Sequence, residues 1–153
     1  MKNLFLVAVM VAGSTGWAAA GRPGIVLRME GKVVNQNFNG TMPEFRLMSN
    51  GVELNGTCGA KTQRCDLKEI GRLSPTEMRG IQEKVEAARS GRVERWISGA
   101  RCFRAPDFSR RYTAGNGSII LKTGHICLGG GLKNISQSAT ELVEFITQES
   151  ARN

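Results

Sequence analysis

The sequence predicts an α+β fold: antiparallel β-meanders packed with one central helix and a C-terminal helix, held by two disulfides. Three observations predict it. Asn-Gly pairs punctuate extended runs in both halves, a fully capped amphipathic helix separates those halves, and four cysteines follow an export-type leader.

The leader comes first. Lys2 supplies a positive charge, Leu4 to Ala12 forms an apolar run, and Ala18-Ala19-Ala20 offers small residues for cleavage, so residues 1–20 read as a secretory signal peptide. Gly13-Ser14-Thr15-Gly16 interrupts the run well short of a membrane span, and no cysteine lies near the cleavage point to carry a lipid. Residues 21–153 are then expected to form a single soluble domain without a stable membrane anchor, periplasmic or secreted. Its 20 basic and 13 acidic residues give a charge of +7.

Asn39-Gly40, Asn50-Gly51, Asn55-Gly56 and Asn116-Gly117 each match the two positive-φ positions of a type I′ turn. Residues 25–37, 43–49 and 52–55 therefore read as a first antiparallel meander. Phe45 and Leu47 alternate with Glu44, Arg46 and Met48, as expected of a strand with one buried face.

The central helix has chemical limits. Ser74-Pro75-Thr76-Glu77 is a capping box with proline at the first helical position, and Leu73 with Met78 makes a hydrophobic staple. Met78, Ile81, Val85 and Ala88 share one face, while Arg79, Glu83, Lys84 and Glu86 form a wet face of mixed sign. That mixture favours packing on the sheet over lying on a membrane. Arg89 suits the C-terminal dipole, and Gly91 is the expected left-handed stop.

A second meander is expected at residues 93–104, 109–114 and 118–129, with Gly124 marking a bend or bulge. On the 93–104 run, Trp96 and Cys102 are taken to face the core, and Arg95 and Arg101 the opposite side. A second helix is expected over residues 139–150, capped at Ser138, with Ala139, Leu142, Val143 and Ile146 as its apolar stripe.

Four cysteines in an exported domain imply two disulfides. Three pairings are open, and Cys58 with Cys65 and Cys102 with Cys127 is favoured because each pair lies in one contiguous half. Loop entropy gives these bridges about 2.5 and 3.5 kcal/mol. Cysteine spacings of 7, 37 and 25 with one histidine do not match a zinc site, and no cofactor motif is present. Gly129-Gly130-Gly131 lacks the Lys-Ser/Thr of a phosphate loop.

No residue nominates itself for catalysis. His125 and Cys127 share a strand face, but an exported cysteine with a partner is oxidised rather than nucleophilic. Asp66 and Asp107 read as turn formers or helix-flanking acids. The short leader is bacterial in style. In a eukaryotic secretory pathway Asn39, Asn55, Asn116 and Asn134 would be glycosylation sequons, and the Asn-Gly turns account for three of them without sugar.

The informative feature is charge. Between Arg79 and Arg111 nine basic residues stand against four acids, so +5 of the +7 falls within 33 residues. Aromatic residues interleave with it, a composition enriched at protein interfaces and polyanion sites. Candidate binding residues are Arg95, Arg101, Arg104, Arg110, Arg111, Phe108 and Tyr112. The leading expectation is a non-catalytic binding module recognising an exported or envelope protein, an inhibitor being one form. The alternative is binding of an anionic glycan, lipid head group or nucleic acid, and an unrecognised hydrolase comes third.

Overall fold

Alternation of side chains along the first extended run decides which face it buries. In the computed structural model, which describes residues 22–152, β1 (Ile25–Val33) directs Leu27 and Met29 into the core and Arg28, Glu30 and Lys32 to the other side. The expected leader, residues 1–20, lies outside the described residues. β1 is the hinge of the topology. It pairs on one side with β2 (Thr41–Met48) and on the other with β6 (Phe108–Ala114). With β3 (Val52–Gly59), β4 (Cys65–Arg72), β5 (Val93–Ile97), β7 (Ile119–Gly124) and β8 (Gly130–Asn134), the sheet runs β4-β3-β2-β1-β6-β7-β8-β5, antiparallel throughout.

One face of this sheet carries both helices, α1 (Pro75–Arg89) and α2 (Gln137–Ser150). Met78, Ile81, Val85 and Ala88 of α1 and Ala139, Leu142 and Ile146 of α2 meet Leu27, Met29, Phe45, Leu47, Tyr112, Ala114, Ile119 and Leu121. The α+β class, the placement of Phe45 and Leu47, and both apolar helix stripes agree with the sequence reading. So do the disulfides, Cys58–Cys65 and Cys102–Cys127.

α1 begins as its capping box dictates. Glu77 N–H donates to Ser74 Oγ at 3.3 Å, and Ser74 N–H donates to Glu77 Oε2 at 2.7 Å. Its end differs from expectation: Ser90 caps it in right-handed geometry, and Gly91 has no positive φ. Gly91 is needed for space instead, since a Cβ there would strike the Asn134 amide. α2 starts two residues earlier than expected, because Ser136, not Ser138, accepts the Ala139 N–H at 3.2 Å.

The strand map needs four corrections. β4 was missed: Asp66 lies within it, paired with Thr57, rather than in a turn. Asn55-Gly56 is not a turn but the middle of β3, where a Cβ on Gly56 would collide with the Asp66 carbonyl. Of Asn50-Gly51 only Gly51 takes positive φ, at 84°, and neither residue of Asn39-Gly40 does, whereas Asn116 and Gly117 both do, at 57° and 86°. Finally, the 93–104 run stops at Ile97, and β5 crosses to the far edge of the sheet to pair with β8, a glycine-rich strand that carries little apolar signal.

Candidate functional site

Period-two geometry sorts the basic and aromatic residues of β6 onto two faces. Tyr112 and Ala114 enter the core, so Phe108 and Arg110 share the helix-bearing face, beyond the end of the helical cover. Arg111 points the other way, with Nη1 at 3.9 Å from Glu30 Oε1. Neighbours in sequence are thus separated by the thickness of the sheet.

Three further strands complete a cleft around Phe108 and Arg110. A bulge opposite Tyr112–Thr113 inserts Leu121, so Leu121 joins the core and the next residue, Lys122, still pairs with Tyr112 on the same face. Trp96 of β5 stands opposite Gly131 of β8, whose missing side chain leaves room for the indole to reach β7. There Trp96 Nε1–H donates to the Thr123 carbonyl at 2.9 Å, and Lys122 Nζ lies 5.3 Å from the ring centroid, a cation–π contact. Trp96 is half-buried and belongs to this cleft rather than to the core expected for it. Phe108 is supported from behind by Phe38, ring centroids 6.0 Å apart.

Gly124, at φ 101°, turns the chain into a short 3-10 turn, Ile126–Leu128, capped by His125. Cys127 N–H donates to His125 Nδ1 at 3.0 Å, which leaves the ring proton on Nε2. The expected shared strand face of His125 and Cys127 does not exist. The resulting cleft has a volume of about 390 Å³ and is walled by Trp96, Phe108, Arg110, Tyr112, Lys122 and His125. No carboxylate lines it, and neither Arg110 nor Lys122 has an ion-pair partner among the described residues.

The other candidate residues lie beside this cleft rather than in it. Cys102 is exposed, outside any strand, and its disulfide to Cys127 ties the Ser98–Asp107 segment to the 3-10 turn. Arg101 is exposed on that segment, and Arg104 reaches Asp107 Oδ1 at 3.8 Å. Asp107 is held at its place by Asn35, whose Nδ2–H donates to Oδ1 at 3.0 Å. Arg95 sits on the outermost strand opposite Leu132. Large apolar side chains are exposed on the same elements: Phe103 is fully exposed, Ile97 is 80% exposed, and Ile126 and Leu128 flank the disulfide-bonded Cys127.

The helix-free face carries a cluster that sequence reasoning did not find. Glu44, only 2% exposed, accepts from Arg28 Nε and Arg46 Nε through one oxygen, at 2.7 Å each. Arg28 also pairs with Glu30 at 2.9 Å, and Lys32 with Glu30 at 3.2 Å. Alternating charges at Arg28, Glu30, Lys32 and at Glu44, Arg46 are a visible signal, but only the β1–β2 register shows that they interlock. Each carboxylate already holds two or more cations, which makes the cluster a structural clasp.

No family model matches the chain, and no curated protein or solved structure matches it. Fold and geometry define the class without that help: a small α+β domain with two disulfides, of the kind suited to an oxidising compartment.

Proposed function

We propose that the chain is exported and acts by binding, as a protein-interaction module whose contact surface is the β5 end of the sheet. The observation that carries this reading is the exposure of Ile97, Phe103, Ile126 and Leu128 at the β5 end of the sheet and on the two segments joined by the Cys102–Cys127 bridge, with Arg95, Arg101 and Arg104 exposed on the same elements. Contiguous apolar surface with a polar rim marks partner sites. An arginine rim selects an acidic partner, and a disulfide-held loop loses little entropy on docking. An enzyme inhibitor is the special case in which that partner is an exported hydrolase.

A linear polyanion fits this surface less well. It needs cations in a continuous row, and Arg110 and Arg111 lie on opposite faces. The test is capture from envelope and culture fluid at low and high salt, comparing the native chain with an Ile97→Asp/Phe103→Asp variant. The expected result is an acidic protein retained at high salt by the native chain and lost by the variant. Retention of glycan or lipid at low salt alone, or identical capture by both chains, would overturn the reading.

A further inference from the structure

We propose that the cleft between Trp96, Phe108, Arg110 and Lys122 is a binding site for a small organic anion, one carboxylate-type group carried on a flat apolar ring. This site borders the exposed apolar residues, with Ile126 lining both, and its binding of a small anion does not depend on any protein partner.

Charge supplies the first half of the argument. Two cations face a cleft that contains no carboxylate, and neither is neutralised by a neighbour among the described residues. Along β1, β2 and the other face of β6 the opposite holds: Arg28, Lys32, Arg46 and Arg111 all have acidic partners. Lys122 rests on the Trp96 ring, a weak placement that an oxyanion can improve at little cost. His125 lines the same cleft, with its Nδ1 occupied by the Cys127 amide and Nε2 left as the ring's free polar atom.

Shape supplies the second half. A cleft of about 390 Å³ falls within the span of small-molecule sites, roughly 300–1,000 Å³. Three of its walls are aromatic and each is held in place: Trp96 by its bond to Thr123, Tyr112 by the core, Phe108 by Phe38. An inorganic anion would leave those flat faces unused, whereas a ring bearing the charge covers them. Preorganised walls also mean that little ordering accompanies binding.

His125 is the only histidine of the chain, so its ring protons report on the cleft without ambiguity in a proton NMR titration. The probes are 2-naphthoate, its neutral counterpart 2-naphthalenemethanol, and acetate. Naphthoate is expected to shift the His125 signals saturably, with the alcohol and acetate each at least about tenfold weaker. Arg110→Gln and Lys122→Gln should each weaken naphthoate binding about tenfold, with an unchanged far-ultraviolet circular dichroism spectrum. Arg111→Gln, on the opposite face, should leave it unaltered. Equal binding of acid and alcohol, equal loss in the Arg111 variant, or no saturable shift with naphthoate would overturn the proposal.

Discussion

Asn134 joins three parts of the fold through one side chain. It is 1% exposed, its Nδ2–H donates to the Ala88 carbonyl at 2.8 Å, and its Oδ1 accepts the Ser136 N–H at 3.1 Å. The end of α1, the last residue of β8 and the N-cap of α2 therefore depend on the same amide. Asn134→Ala strands a helix carbonyl and a cap N–H, and is expected to cost about 2–3 kcal/mol, read as a lowered urea midpoint. Glu53 is the opposite case. It is 1% exposed, and its Oε1 is buried without a hydrogen-bond donor. Burial, and then the Glu149 carboxylate, push its carboxyl above the usual range, while Arg152 works the other way. An acid raised on folding contributes most stability below its unfolded value and loses it as pH rises through the folded value. Thermal melts from the low end of the carboxylate range towards neutrality should show that loss, and Glu53→Gln should reduce it and raise the neutral-pH melting temperature.

At the scale of elements, legibility followed how local the determining physics was. α1 could be read to the residue at its start because a capping box, a proline and a staple lie within six positions. β4 was hidden because it is an edge strand with most residues exposed, and β8 because Gly130 and Gly131 carry no side chains to show periodicity. Those glycines are required by close approach: a Cβ on Gly130 would strike the Trp96 carbonyl, and one on Gly131 the Thr123 carbonyl. The site was half visible for the same reason. Phe108, Arg110 and Tyr112 alternate within one strand, whereas Trp96, Lys122 and His125 arrive from other elements through a register no local pattern encodes. The disulfides separate these two kinds of order. Cys58 and Cys65 face each other across β3 and β4, while Cys102–Cys127 holds a segment that has no ladder of its own. A Cys102→Ala/Cys127→Ala chain should therefore keep the circular dichroism of the sheet, lose up to about 3.5 kcal/mol, and expose the bond after Arg101 or Arg104 to trypsin. Unchanged proteolysis there would refute the view that the bridge is what orders the segment.

Across the whole molecule, the middle of the sheet and its β5 end treat charge differently. Around β1 and β2, positive side chains are clasped by Glu30 and Glu44. Towards the β5 end Arg95, Arg101 and Arg110 have no acidic partner among the described residues, and Phe103 and Ile97 are exposed. Such a division assigns two tasks to one surface. Unpaired rim charges act at a distance and accelerate encounter, whereas an apolar centre acts only after water has left and sets how long a complex lasts. For the partner proposed above, raising salt from 50 to 500 mM is expected to lower the association rate about tenfold, with the dissociation rate changed less than about twofold. Phe103→Ala should do the reverse, raising dissociation about tenfold or more and leaving association near its native value. Surface plasmon resonance on the captured partner separates the two. If salt instead accelerated dissociation while Phe103→Ala changed nothing, the contact would be electrostatic throughout, and the apolar end of the sheet would have no part in it.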